Sequence, residues 1–174
     1  RILIMINGRR MSEAIFDQSF LGEDFILDMN IIDRIEYIPG SGSSIYGANA
    51  LLGVINIITK QGKDINGLRL TGEIGSLDTH RGRLTYGKQW DNGVNLLLNA
   101  SQFSSQGNRN LFFPEFTDTN NGIANNLDRE RSGRLFGHLG YRGITLSAGY
   151  VDRSKRVPTA SFGAIFNDKP FAMV

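Results

Sequence analysis

From residue 67 onward, apolar and polar side chains alternate with a period of two, the pattern of strands with one greasy and one wet face. In 68–75, Leu68, Leu70, Gly72 and Ile74 share a face, and Arg69, Thr71 and Glu73 take the other. In 81–90, Gly82, Leu84, Tyr86 and Trp90 oppose Arg81, Arg83, Thr85 and Gln89, with Lys88 breaking the apolar face. In 94–101, Val94, Leu96, Leu98 and Ala100 oppose Asn95, Asn99 and Ser101, with Leu97 the exception. Leu135, Gly137, Leu139 and Tyr141 form the apolar set of 134–141; Ile144, Leu146, Ala148 and Tyr150 form that of 144–151. Asp91-Asn92-Gly93 and Arg142-Gly143 are hairpin-tight turns, whereas about 28 polar and aromatic residues separate the third strand from the fourth. Short turns on one rim and a long loop on the other is the asymmetry of outer-membrane barrels. A soluble sandwich alternates too, so the strands alone leave both architectures open.

The first third is mixed. Residues 2–6 read as a buried strand ending at the Asn7-Gly8 turn, and 9–23 as irregular. A short helix is expected over 24–33 and a strand over Arg34 to Ile38, stopped by Pro39-Gly40. Ser43 or Ser44 is placed to cap a helix through about Leu52, with Gly53 ending it. The next strand is 54–60, and Gln61 to Asp64 reads as a linker. The opening run lacks an initiator methionine and a signal-peptide cleavage site, so the chain is expected to be a piece of something longer.

Composition narrows the classes. Of 174 residues, 40% are hydrophobic and 21% charged, which suits a folded chain rather than a disordered one. The formal charge of +2 gives no reason to invoke nucleic acid. With no cysteine, disulfides, thiolate metal sites and a cysteine nucleophile are excluded. No apolar run is long enough for a membrane helix, which does not bear on a barrel.

The glycines at 40–47 invite a phosphate-loop reading. Gly40 and Gly42 fit the first two glycines of a dinucleotide motif and Asp64 falls near its acidic position. Ile45 stands where the third glycine belongs, the following helix is too short for a crossover, and no further βαβ unit follows. No GK[ST] is present for a P-loop. The same stretch, Arg34-Ile35-Glu36-Tyr37-Ile38-Pro39-Gly40, then Ser43, Tyr46-Gly47, Ala50 and Gly53-Val54-Ile55-Asn56-Ile57-Ile58-Thr59-Lys60, closely resembles the plug signature of TonB-dependent outer-membrane receptors. LIMING upstream is similar to the family's strand-plus-turn, with Asn7 replacing the usual aspartate.

That resemblance implies an α+β plug fragment, residues 1–66, followed by antiparallel strands of a large transmembrane β-barrel over 67–174, incomplete, with five or six strands present. It implies TonB-dependent uptake of a ferric siderophore or a similar scarce nutrient (cobalamin, haem) across the bacterial outer membrane. The implied partners are TonB, through an N-terminal box that would precede this chain, the iron chelate or other nutrient, and outer-membrane lipid. No cofactor, no nucleic acid and no enzymatic activity are expected. A passive porin or adhesin-type barrel and a soluble β-rich binding module are the alternatives.

The signature residues are Arg34, Glu36, Gly40, Tyr46, Gly47, Gly53 and Asn56, with Arg34 and Glu36 expected to pair with the barrel wall. Arg9, Arg10 and Met11 follow the first turn; by resemblance that loop rises to the outer mouth, where two arginines suit an anionic chelate. Tyr86, Trp90, Tyr141 and Tyr150 are expected to face the membrane as an interfacial girdle. Catalysis finds little support: His80 and His138 show no acid–histidine pattern or metal-ligand spacing, and Ser12, Ser43 and Ser44 lack a nucleophile elbow. Glu115, Asp118 and Asp128 are the one loose set of oxygen ligands, short of an EF-hand.

Overall fold

The computed structural model describes residues 2–11, 22–47, 50–159, 164–167 and 172–173. Arg1, Ser12 and most of the stretch expected to be irregular lie outside them. The first part is a four-stranded mixed sheet of β1 (Ile2–Ile6), β2 (Arg9–Arg10), β3 (Ile32–Pro39) and β4 (Gly53–Thr59), in the order β2-β1-β4-β3. β1 and β4 run parallel, Ile2 opposite Gly53 and Ile6 opposite Ile57, and are apolar because both faces are covered. Leu3, Met5, Ala50 and Val54 pack on one side, and Ile4, Ile6, Phe25, Leu27, Ile31 and Ile57 on the other.

Three local expectations are corrected. Residues 24–33 form two 3-10 turns, Gly22–Asp24 and Met29–Ile31, rather than a helix. Asp28 decides this: its side chain caps the second turn by accepting from the Asn30 N–H at 3.1 Å, and Ile32 already enters β3. The helix after the glycines is a single turn, α1 (Ser43–Tyr46); Gly47, at φ +78°, follows it, and Gly53 opens β4 instead of ending a helix. The expected linker is a packed turn, α2 (Gly62–Ile65), whose Gln61 N–H donates to Asp64 Oδ2 at 2.7 Å.

The second part is one antiparallel sheet of β5 (Gly67–Gly75), β6 (Thr79–Gln89), β7 (Asn95–Ser105), β10 (Glu130–Tyr141), β11 (Ile144–Arg156) and β12 (Ala172–Met173). Between β7 and β10 the long loop carries its own hairpin, β8 (Asn110–Phe112) with β9 (Ile123–Asn125). All five expected strands are present, and β7, β10 and β11 run further toward the long-loop rim than their alternation predicts. The sheet is unclosed, with β5 on one edge.

Register sorts the two faces. Leu70, Leu84, Ala100, Leu135 and Tyr150 lie in one cross-strand row, and Leu68, Tyr86, Leu98, Gly137 and Ala148 in the next. These rows point away from the first part: Leu70 is 72% exposed, Tyr150 63% and Leu135 55%. The wet face turns inward, where Thr85, Asn99, Ser101, Ser132 and Arg134 are buried against the first part. Leu97, the exception to alternation, is fully buried with Phe136 beneath Phe25, Leu27 and Ile31. A sandwich would bury the leucines and expose the polar row; this sheet does the reverse.

Candidate functional site

The interior of the curved sheet meets the plug-like part along a charged seam. Cross-strand rows on the inner face place Arg81, Arg83, Arg134 and Arg153 side by side, and the plug segment 22–31 supplies carboxylates to meet them. Arg134, 4% exposed, donates from Nη2 to Glu23 Oε2 at 2.6 Å and to the Glu23 carbonyl at 2.7 Å, and from Nε to the Phe25 carbonyl at 2.8 Å. Arg81 holds the other Glu23 oxygen at 2.7 Å, and Ser132 donates to Oε2 at 3.0 Å. Asp28, 1% exposed, accepts from Arg83 Nε at 2.8 Å, and Arg83 also pairs with Glu73 of the wall. Arg153 reaches Asp24 at 2.6 Å and Glu130 at 2.7 Å.

Burial raises the Glu23 pKa, but the hydrogen bonds and charges of Arg81 and Arg134 outweigh it and hold the carboxyl below its ordinary value. Below the charges, Asn30 Nδ2 donates to Thr85 Oγ1 at 3.1 Å, and Asn99 Nδ2 to the same hydroxyl at 2.9 Å. Asp28 Oδ2, Asn99 Oδ1 and Ser101 Oγ are buried yet accept no hydrogen bond from a described residue. The seam is therefore largely polar, with the apolar cluster of Leu97 and Phe136 against Phe25, Leu27 and Ile31 beside it. Two small wall residues let the plug approach closely. A Cβ on Gly149 would lie 2.5 Å from Ile26 Cδ1, and one on Gly87 2.6 Å from Ile65 Cβ. Gly62 of α2 is equally constrained: a Cβ there would lie 2.3 Å from the Leu96 carbonyl oxygen and 2.4 Å from that of Lys88.

The signature residues fall within the plug rather than on the seam. Arg34 does not pair with the wall; it bonds Asp33 at 3.0 Å and Glu36 at 2.9 Å on an exposed strand face. The wall's cations are met instead by Glu23, Asp24 and Asp28, none of which local spacing singles out. Asn56 ties β3 to the first turn, donating to Glu36 Oε2 at 3.1 Å and accepting from the Gly8 N–H at 3.0 Å. Gly40, at φ +93°, and Gly42 donate to Leu52 and Ala50 carbonyls, so the glycine loop closes on itself over Tyr46, which packs on Val54's cluster.

Arg9 lies away from the outer mouth. The Asn7-Gly8 turn sits at the short-turn rim, and Arg9 Nη2 donates there to the Thr145 carbonyl at 3.2 Å and hydroxyl at 3.0 Å. Arg10 is its neighbour on β2, and Met11 packs against the plug core, its N–H on the Ile4 carbonyl at 2.9 Å. The four aromatics share the outward face but not one belt. Tyr86 and Tyr150 stand in mid-band rows, while Tyr141 and Trp90, the latter 5.5 Å beneath Lys88 Nζ, flank the short turns. In the long loop Asp128 takes Lys155 at 2.9 Å, and among the described residues no three acidic or histidine side chains converge on a metal site.

Residues 1–54 match the family model of the TonB-dependent receptor plug domain. The chain is a segment of a TonB-dependent receptor. It is 31% identical over 167 residues to the rhizobactin receptor of Rhizobium meliloti (strain 1021), spanning 86% of this chain and 21% of that protein. It is 35% identical over 78 residues to the vitamin B12 transporter BtuB of Vibrio cholerae serotype O1, covering 45% of this chain and 12% of that one. Among solved structures, the pyoverdine outer membrane receptor FpvA of Pseudomonas aeruginosa PAO1 superposes with a TM-score of 0.57 at 20% identity, over 87% of this chain and 20% of FpvA. The ferric-catecholate import receptor Fiu of E. coli K12 gives 0.54 at 18% identity, over 87% and 20%. Those identities speak for the fold alone. The chain thus spans about a fifth of the rhizobactin receptor's length. The segment belongs to an outer-membrane receptor rather than an enzyme.

Proposed function

We propose that the full receptor binds a ferric siderophore, or another scarce nutrient such as cobalamin or haem, and imports it across the outer membrane with TonB as its partner. Residues 1–66 are the proposed C-terminal part of the plug, and 67–174 the first strands and outer loops of the barrel. The observation that carries this reading is the charged seam between Glu23, Asp24 and Asp28 and the wall arginines. A plug seated mainly by ion pairs and polar contacts, with Leu97 and Phe136 the wall's share of the buried apolar cluster, can leave the wall while exposing little dry surface. The relative named for rhizobactin matches more of this chain than the relative named for vitamin B12, which favours a siderophore.

The test is uptake of radioactive ferric siderophores by iron-starved cells carrying or lacking the gene. Deletion is expected to abolish uptake of one siderophore, and deletion of TonB to leave binding intact while uptake stops, since coupling needs the plug to move. Expression induced by low cobalamin alone would move the assignment to cobalamin. Equal uptake with and without TonB would favour a passive barrel instead.

A further inference from the structure

We propose that the plug–wall seam holds a binding pocket for a small oxyanion at its short-turn rim, a site that does not depend on which cargo the receptor carries. The cavity is about 220 Å³ and is lined by Arg9, Thr59 and Lys60 from the plug and His138, Thr145 and Ser147 from the wall. It is too small for a metal chelate, since pockets for drug-sized ligands occupy roughly 300–1,000 Å³. It suits a tetrahedral ion such as sulfate or phosphate.

Charge selects the ligand. Arg81, Arg83, Arg134 and Arg153 are each matched by a carboxylate. Among the described residues Arg9 and Lys60 have no such carboxylate: Arg9 donates to the Thr145 oxygens, and Lys60 Nζ to the Asn30 carbonyl at 2.6 Å. Among the described residues, no aspartate or glutamate lines the cavity. Two cationic side chains facing a half-enclosed space without a described counter-charge favour an anion there, and each retains N–H donors to offer it. The wall adds neutral donors of the right kind: the Thr145 and Ser147 hydroxyls, and His138, whose Nδ1 lies 2.8 Å from Ser147 Oγ. An oxyanion held between these sides would bridge plug to wall beside Gln61, the residue that leads into α2.

The full receptor in detergent is titrated with sodium sulfate at constant ionic strength, sodium chloride being the balancing salt, with calorimetric binding heats and the unfolding temperature as readouts. One saturable sulfate and a rising Tm are expected. Arg9→Gln should weaken sulfate about tenfold or more, Arg9→Lys should recover part of it, and Arg131→Gln on the outward face should leave it unchanged. Lys60→Gln should weaken it similarly, but Lys60 also holds the Asn30 carbonyl, so the exposed Arg9 variant decides. A Tm rise equal to that in chloride alone, or unchanged sulfate affinity in Arg9→Gln, overturns the proposal.

Discussion

At the residue scale, Glu23 and Arg134 concentrate the energetics of the seam. Arg134 is buried and spends its donors on Glu23 and two backbone carbonyls, so removing it leaves those carbonyls unmet and takes from Glu23 one of its two arginines. Arg134→Met should destabilise the folded receptor by about 3–5 kcal/mol, the cost of breaking a buried pair from one side; denaturant unfolding in detergent measures it. Glu23 adds a pH dependence of definite sign. Its folded pKa is depressed, so the pair's contribution is complete above the carboxyl's ordinary 4.5 and is lost as pH falls through the lowered value. Stability of the wild type should therefore fall in acid more steeply than that of Glu23→Gln, and parallel pH profiles would exclude Glu23 as the group responsible. Little of this pair is legible in the sequence. Residues 23 and 134 are 111 positions apart, and no periodicity links a 3-10 turn to a distant strand. What alternation does reveal is the wall's half, because Arg81 and Arg83 already share the wet face of β6.

At the scale of elements, α2 differs most from its reading as a linker. A Gly-Lys-Asp run after a strand looks like a connection, yet Gly62 fits a space that accepts no Cβ, between the Lys88 and Leu96 carbonyls. Gly87 opposite is constrained by Gly62 and Ile65 in turn. Gly62→Ala and Gly87→Ala should each destabilise by about 1–3 kcal/mol through overpacking. Since they disturb one contact, the double variant should cost clearly less than the sum, and a thermodynamic cycle on the full receptor checks this. The overestimated helices have a common cause. Asp28 and Gly47 each offer the backbone a local alternative, a cap in one case and a positive-φ exit in the other, so helical runs stop after one turn. Strands survived because a two-residue period persists along their whole length, and the turns Asp91-Asn92-Gly93 and Arg142-Gly143 fix where they fold back.

At the scale of the molecule, the outward face divides by depth. From the Leu135 row to the Tyr141 row the apolar band covers about 20 Å along the strands, near the ~25 Å band of outer-membrane barrels. Toward the loops the rows turn polar, with Gln102 beside Gly82 and Gly133, then His80, Ser104 and Arg131. Leu98→Arg, within the band, should cost about 2–4 kcal/mol, whereas Gln102→Arg, two rows nearer the loops on the same strand, should cost no more than about 1. Unfolding of the receptor from lipid vesicles compares them directly, and equal costs would mean that this face does not meet a bilayer.

On the long-loop side, the β8–β9 hairpin is fastened to the next loop through one aromatic stack: Phe116 lies 4.4 Å from Phe166 with rings nearly parallel, and Phe113 meets the same ring edge-on at 6.0 Å. Two stretches more than forty positions apart in sequence thus present a single surface at the long-loop rim. An antibody or phage that grips one of them reads the shape of both, so a change at Phe166 would alter recognition of a hairpin whose own sequence is untouched. A vaccine peptide cut from the hairpin alone would display the letters without the relief.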